Sequence, residues 1–482
     1  MAVKVLKITQ LQNSDLSSDL NRPLVVDLDG TLFVHDIFQL QLFSQIFKNP
    51  LVFIKLIFMT LAGYKAKAKS ILRSTGIEIN PNLWPKNQFL EEKLIDAYKQ
   101  GRQIYICSGA NEDILSDLVA NLDYVFDYWG STQSINLTGE RKAKFLVSKF
   151  GQEGFDYIGN SKEDIHVYQK AKNAYSTNAF IDNKKYPESA IRLWFKQLRV
   201  KHWAKNLLVF LPIIAAHDFS FESVTASFVF FISLCCLASG TYVLNDLLDL
   251  LSDVQHKEKK FRPLASGAIP LSSGIIVALF LIFMPLFASL FTGKTDFFYL
   301  LATYLLATLF YSVKGKKILG LDVVLLALLY TYRIFAGTLV ISAAQSAWLL
   351  ALSFLIFSSM ASAKRFIEVS AVTKSSAIPG RGYLGIDSNV IAQVGVSSGI
   401  SSIVVYVLYA TSSQVSKAYE YPLILLLATP ILLYWVIHLW TSVNRGSVAS
   451  DPIDWAFKDK SSWASIIGFV SIILIAWSAN FI

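Results

Sequence analysis

Asp246, Asp249 and Asp253 are spaced three and then four residues apart, so a helix stacks all three on one face. Like charges at that spacing repel, and ionised acids at a bilayer edge are costly. A divalent cation and a polyanion would complete such a group, because Mg2+ takes one or two carboxylates together with phosphate oxygens. Asn245 precedes the acids, and a basic stretch from His256 to Arg262, including Lys259 and Lys260, follows them. A solvated acidic helix end balanced by the lysines is the plainer alternative. A second set of acids lies near the N-terminus. The apolar run in PLVVDLDGTLF ends in Asp27, Asp29, Gly30 and Thr31; QIYICSGAN leads to Ser108, and FDYIGNSKEDI passes Gly159 to Asp164. Buried parallel strands read this way, with ligand residues at their carboxyl ends.

The elements that must hold these groups fall into two unlike halves. Of 482 residues, 53% are apolar and 16% charged, against about 25% charged in a soluble domain. Disorder, collagen and coiled coil are excluded. Cys107, Cys235 and Cys236 are too few for a disulfide framework. A net charge of +9 could suggest nucleic acid, but the bases sit in loops between apolar segments, so no nucleic-acid partner is expected. Residues 1–185 alternate apolar and charged segments and predict an α/β fold. From Leu207 onward apolar stretches near the ~20 residues of a bilayer span follow one another. They are expected at 203–217, 223–244, 272–292, 297–313, 320–341, 346–363, 389–411, 421–441 and 463–481, an all-α bundle of about nine spans. The start MAVKVLKITQLQNSDLSS lacks the long apolar core of a signal peptide. Lys257, Lys259, Lys260, Arg262, Lys314, Lys316, Lys317, Lys364, Arg365, Lys374, Arg381, Arg445, Lys458 and Lys460 fall in alternate loops, and the opposite loops hold Lys294 and Lys417. The positive-inside rule therefore places the N-terminal region in the cytoplasm of an inner-membrane, multi-pass protein.

The NDxxDxxxD pattern at 245–253 resembles the first signature of the UbiA superfamily of membrane prenyltransferases, over roughly residues 199–482. The match is closest to the polyprenyl-phosphate (decaprenyl-phosphate) phosphoribosyltransferases. It rests on RVKHWAKNLLVF, HKEKKFRPLASG, the pattern from Tyr311 through Lys316 and Asp322 to Arg333, AKRFIE and DPID. The resemblance implies a nine-helix bundle that binds Mg2+ and a diphosphate at two polar loops. Asp246, Asp249 and Asp253 would then bind metal and diphosphate, with Asp322 as a further acid. Lys205, Asn245, Lys259, Lys260, Arg262, Tyr311, Lys316, Arg333, Lys364 and Arg365 are the substrate-binding candidates, though each base alone could be a headgroup or topology charge. Superfamily members that prenylate aromatic acceptors generally carry a second acidic cluster of DxxxD type. Here Asp322 is followed four residues on by Leu326, and Arg333 lies farther along. Fewer acids and more bases suit two anionic substrates, a lipid phosphate and phosphoribosyl diphosphate. The rival is transfer of a prenyl group from prenyl diphosphate to an aromatic or other small acceptor.

The N-terminal motifs resemble the haloacid dehalogenase superfamily of phosphatases, a Rossmann-like α/β fold. That resemblance implies Asp27 as nucleophile, Asp29 as general acid and base, Ser108 as phosphoryl ligand and Lys142 as charge partner. Asp27, Asp29 and Asp164 would hold Mg2+. The fourth motif normally offers GDxxxD, whereas this chain has Gly159, Asn160 and Asp164; Asn160 keeps an oxygen ligand but loses a charge. The expected layout is a phosphatase-like domain at 1–185 with a cap near 34–100, an amphipathic linker at 186–205, and the transferase at 206–482. The cap segment FSQIFKNPLVFIKLIFMTLAG reads equally as a cap core or as an interfacial helix. The expected activity is Mg-dependent phosphoribosyl transfer to polyprenyl phosphate, for envelope or glycan synthesis, with the N-terminal domain removing the 5-phosphate of the product.

Overall fold

The computed structural model describes residues 8–10, 16, 19–36, 38, 42, 49–61, 68, 71–72, 86–132, 135–160, 162–177, 189–255, 258–292, 295–373, 378, 381–413, 415, 419–449 and 451–478. Much of the expected cap, together with His256, Lys257, Lys294, Lys374 and Lys417, lies outside them. The chain divides into two compact units, one of residues 1–198 with 242–278 and one of 199–241 with 279–482.

The first unit is built on a six-stranded, all-parallel sheet. Its strands are β1 (Ile8–Gln10), β2 (Leu24–Val26), β3 (Ile104–Asn111), β4 (Asp127–Ser131), β5 (Asp156–Gly159) and β6 (Ala174–Ser176), in the order β1-β6-β5-β2-β3-β4. The three strands expected from the sequence are β2, β3 and β5, and they adjoin one another at the centre. Leu24 pairs with Ile104 on one side and Asp156 on the other. Central strands are apolar on both faces because both faces are covered. Leu24, Val26, Ile104, Ile106 and Ile158 face one way, with Leu90 and Leu94 of helix Gln88–Lys99 and Leu115 and Leu118 of helix Glu112–Val119. Val25, Tyr105, Cys107 and Tyr157 face the other way, with Ala143 and Leu146 of helix Gly139–Phe150. Each such side chain contributes about 1.5–3 kcal/mol by leaving water.

The first of these cores does not stop at the sheet. It continues through Val243, Leu247, Leu250, Leu264, Ala265 and Ile269, so the segment carrying the three aspartates is packed into the same apolar cluster as β2 and β3. Helix Ala190–Gln197, expected to lie on the membrane surface, packs Leu193 and Trp194 on this core and leaves Ile191 and Phe195 exposed.

Eight helices among the described residues are long and apolar enough to cross a bilayer: Phe221–Leu248, Leu271–Ser289, Asp296–Lys317, Leu321–Val340, Ala347–Ser370, Gly385–Ala410, Pro422–Asn444 and Lys460–Ser478. This is a multi-pass membrane protein. The first expected span differs. Residues Val200–Phe210 form a 3-10 run, followed by a short α-helix at Leu211–Ala216. Pro212 lacks an N–H and stands in the first turn, where that loss matters least, so a new helix starts there rather than an old one continuing.

Candidate functional site

Helix Phe221–Leu248 ends one residue before Asp249, and a second helix, Leu250–Gln255, follows at once. The expected continuous helix is thus interrupted, yet the spacing of the acids survives. The N–H of Asp249 donates to Asn245 O at 2.8 Å, and the N–H of Asp253 donates to Asp249 O at 2.8 Å. Arg262 joins the two outer acids. Its Nη1 donates to Asp246 Oδ1 at 2.9 Å and to Asp253 Oδ2 at 2.5 Å. Lys259, exposed, stands 3.8 Å from Asp253 Oδ1, a buried oxygen that accepts no hydrogen bond among the described residues. Burial raises the Asp253 carboxyl above its ordinary range, against the pull of Arg262. Asp249 occupies the turn between the helices, Asn245 is half-buried, and Lys260 is exposed over the Phe261 ring.

These oxygens suit a hard cation. The donors are the carboxylates of Asp246 and Asp253, with Asp249 in the turn between their helices, and Asp253 Oδ1 accepts no hydrogen bond among the described residues. No cluster of three or more metal-type side chains converges among the described residues, and Arg262 pairs with both Asp246 and Asp253.

In the second unit the expected bases fall into three groups. Lys205 Nζ donates to Asp451 Oδ2 at 2.7 Å, and Lys364 Nζ donates to the same oxygen at 3.1 Å. Burial would raise the Asp451 carboxyl, but the two ammonium groups hold it well below the usual range. Asp451 also caps helix Pro452–Ala456 by accepting from Ile453 N–H at 3.0 Å, so one residue organises the whole group.

Asp322, fully buried, forms the centre of the second group. It accepts from Tyr383 Oη at 2.5 Å, and its other oxygen lies 3.3 Å from Arg365 Nε. Arg365 also pairs with Glu368, which in turn is 3.5 Å from Arg381. Arg381 donates to Tyr311 Oη at 3.2 Å, and Lys316 stands half-buried in the short turn Gly315–Lys317. Two acids meet two guanidinium groups here. Asp322 thus sits between Tyr383 and Arg365, and its Oδ2 accepts no hydrogen bond among the described residues.

Arg333 makes the third group. Its Nε donates to Asn206 Oδ1 at 2.7 Å, Nη1 to the Leu329 carbonyl at 2.5 Å and Nη2 to Tyr304 Oη at 2.8 Å. The guanidinium lies 5.2 Å from the centres of both the Tyr304 and Tyr330 rings. These bonds engage three of its five N–H groups among the described residues. The same unit encloses an apolar cavity of about 500 Å3, lined among others by Leu208, Pro212, Ile334, Leu349, Phe357 and Tyr406.

At the carboxyl ends of β2, β3 and β5 the first unit gathers the other acids. Lys142 Nζ donates to Asp27 Oδ1 at 2.6 Å and stands 3.7 Å from Asp164 Oδ1. Thr31 Oγ1 donates to Asp27 Oδ2 at 3.3 Å, and Ser108 Oγ donates to Asp29 Oδ2 at 3.3 Å. Burial pushes the Asp27 carboxyl up to about 6 against the pull of Lys142. Burial alone would lower Lys142, but the charges of Asp27, Cys107 and Asp164 hold it above the lysine range. Cys107 beneath them is pushed up to about 12 by burial and is inert as a nucleophile. Asn160 donates its backbone N–H to Asp164 Oδ2 at 3.1 Å, while its side-chain amide packs on Gly30. Gly30 has φ +71°, and a Cβ there would lie 2.0 Å from the Asn160 amide nitrogen, so only glycine fits. The hard-oxygen donors of Asp27 and Asp164 also fit Mg2+, with Lys142 now between them.

Sequence reading missed Gln197, Glu368, Tyr383, Tyr304 and Asn206. Arg381 and the DPID aspartates were visible only as loop charge and motif. None of these carries a spacing signal; they are joined by tertiary contacts between distant segments.

Residues 206–457 match the UbiA prenyltransferase family. An uncharacterised protein of Sinorhizobium fredii is 30% identical over 92% of this chain and 89% of its own length, so that likeness includes the N-terminal region. A decaprenyl-phosphate phosphoribosyltransferase of Corynebacterium glutamicum is 31% identical over 40% of this chain and 60% of its own length. One of Mycolicibacterium smegmatis is 25% identical over 60% of this chain and 92% of its own length.

Proposed function

We propose an activity from a plain premise: this chain belongs to the UbiA prenyltransferase family. Within it, the membrane half transfers the 5-phosphoribosyl group of phosphoribosyl diphosphate to a polyprenyl phosphate at the cytoplasmic face of the inner membrane. The observation that carries this reading is the state of Asp322. A prenyl diphosphate site of the usual kind needs a second open acidic cluster, and here Asp322 is buried, paired with Arg365 and hydrogen-bonded by Tyr383. The likeness to two proteins named decaprenyl-phosphate phosphoribosyltransferase supports the same choice.

In the reaction an oxygen of the lipid phosphate attacks C1 of the ribosyl donor. The bond from C1 to the diphosphate oxygen breaks, and diphosphate leaves with the electron pair. No protein nucleophile is required. Asp246, Asp249 and Asp253 would hold Mg2+, which when bound neutralises the departing diphosphate. Arg262 and Lys259 supply cationic donors beside those acids. Lys205 and Lys364, which share one carboxylate between two positive charges, are assigned to the lipid phosphate, and the apolar cavity to part of its chain. Positioning and charge compensation then account for the rate.

For the N-terminal fold the proposal is a phosphatase of haloacid dehalogenase type acting on the 5-phosphate of the lipid product. Asp27 attacks phosphorus, the ribose oxygen leaves with a proton from Asp29, and water then attacks the phosphorus of the aspartyl phosphate, releasing inorganic phosphate and the Asp27 carboxylate. The buried Asp27–Lys142–Asp164 group supports it.

The test gives purified full-length protein Mg2+ with either phosphoribosyl diphosphate plus polyprenyl phosphate, or prenyl diphosphate plus an aromatic acid. Diphosphate release from the first pair is expected. Release from the second pair alone would replace this reading with prenyl transfer.

A further inference from the structure

Gln197 is 1% exposed, although glutamine is normally a surface residue. Its amide contacts the acid segment twice. Nε2 donates to Asp246 Oδ2 at 2.8 Å, and Oε1 accepts from the N–H of Leu264 at 3.2 Å. The partners fix the amide's orientation, since a carboxylate oxygen only accepts and a backbone N–H only donates. Arg262, two residues before Leu264, donates to the other oxygen of Asp246. The two contacts close a ring: Gln197 to Asp246, Asp246 to Arg262, and along the chain to Leu264 and back to Gln197. Both oxygens of Asp246 are thereby given a fixed partner.

The support for Gln197 comes from the sheet-bearing fold. Its helix starts at the Ser189 cap, which accepts from Arg192 N–H at 3.4 Å, and Leu193, Trp194 and Leu198 anchor it on the common core. The loop after Arg262 is held from another direction. His35 Nε2 lies 3.1 Å from the Ala265 carbonyl oxygen. Gly267, at φ +75°, allows Val34 so close that a Cβ there would lie 2.0 Å from its Cγ1. Gln197 lies outside the motifs of either resemblance, whereas Ala265 and Gly267 close the HKEKKFRPLASG stretch.

We propose that Gln197 is a positioning residue of the transferase. It orients Asp246 for a Mg2+–diphosphate group and pins the Arg262–Leu264 segment, so the N-terminal fold is a working part of the transferase site. This rests on the transferase reading and adds a residue to it. Gln197→Met keeps the side chain's length and loses both bonds. Gln197→Glu keeps the acceptor for Leu264 and turns a like charge toward Asp246.

The experiment uses the full-length protein in nanodiscs and measures binding of inorganic diphosphate with MgCl2 by calorimetry. KM and kcat for phosphoribosyl diphosphate and the ligand-free unfolding temperature are measured alongside. Loss of a residue that orients a metal ligand typically weakens metal affinity or activity by about 10–100-fold. Both variants should therefore bind Mg2+–diphosphate at least tenfold more weakly, with KM raised in proportion and kcat changed less. Wild-type binding in a folded variant would overturn the assignment. So would loss of the folded state in both variants, since Gln197 would then support the fold rather than the carboxylate. Binding needs no turnover, so the two proposals fail separately. Wild-type protein that binds diphosphate but transfers no ribosyl group would remove the transferase reading. A transferring wild type with unaffected variants would remove only the role of Gln197.

Discussion

Two polar clusters of this molecule contain aspartates in helices, and they are balanced differently. At 246–262 Asp246 and Asp253 pair with Arg262, and an exposed lysine stands 3.8 Å from Asp253. Asp249 lies in the turn between their helices, and a buried oxygen of Asp253 accepts no hydrogen bond among the described residues. At 322–381 Asp322 and Glu368 meet Arg365 and Arg381 one for one; Tyr383 donates to one Asp322 oxygen, and the other, like Arg365 Nε and Nη2, makes no hydrogen bond among the described residues. An acid-rich cluster gains from a divalent cation, whereas a balanced one has its counter-charges built in. On the proposed reading, similar residues would serve chemistry in one place and architecture in the other. Sequence spacing separates them poorly, because the balancing bases come from different segments.

The comparison can be broken most sharply by single amide substitutions. Asp246→Asn is expected to lower transfer by more than about 100-fold, beyond the range typical of residues that only orient ligands. The unfolding temperature should fall only modestly, because the part-exposed Arg262 keeps its pair with Asp253. Asp322→Asn should do the reverse. Arg365 would lose its fully buried counter-ion and keep only the part-exposed Glu368, so a cost of up to about 3–5 kcal/mol of stability is expected, while the Mg2+ concentration needed for half-maximal rate stays put. Replacing both members, as Asp322→Leu with Arg365→Met, should recover most of that stability in thermal melts. A shifted Mg2+ requirement in the Asp322 variant would erase the distinction.

A smaller effect is expected at the shared carboxylate. Lys205→Ala and Lys364→Ala each remove one charge-assisted contact of about 1.5–3 kcal/mol. Steady-state kinetics should show a higher KM for polyprenyl phosphate, with that for phosphoribosyl diphosphate little changed. Equal changes for both substrates would assign the lysines differently.

The smallest effect concerns pH. The Asp27 carboxyl stands near 6 in the fold against 3.8 as an unperturbed group, so the folded state holds the proton more tightly. Its contribution to stability is complete below about pH 3.8 and is lost as pH rises through about 6. Denaturant midpoints in metal-free buffer should fall across that window for the wild type, and Asp27→Asn should flatten the change.

Much of this was legible in the chain. The apolar runs at β2, β3 and β5 announced central parallel strands, and eight of nine expected spans correspond to long apolar helices. β1, β4 and β6 were not read; β1 and β6 are three residues long, and β4 is the half-polar DYWGS. The first span failed because Pro212 starts a separate helix where hydropathy alone suggests continuity. The acids at 246–253 were found by their helical period. The Arg262 bridge joins them across a loop, and Gln197 reaches Asp246 from 49 residues away, so neither is visible to any local pattern. Arg333 was read as a phosphate contact because it lies in a motif, whereas three of its N–H groups turn to Asn206, Leu329 and Tyr304.

The central claim is that phosphoribosyl diphosphate and polyprenyl phosphate are joined by the membrane half and that the N-terminal fold then trims the product. Mass spectrometry of the lipids made by wild-type and Asp27→Asn protein from those two substrates tests it most directly. The Asp27→Asn protein should accumulate a lipid heavier by one phosphoribosyl group, and the wild type should convert it to the ribosyl lipid lacking one phosphate. Identical lipids from both proteins would contradict the trimming step, and the absence of any ribosylated lipid from either would contradict the transfer itself.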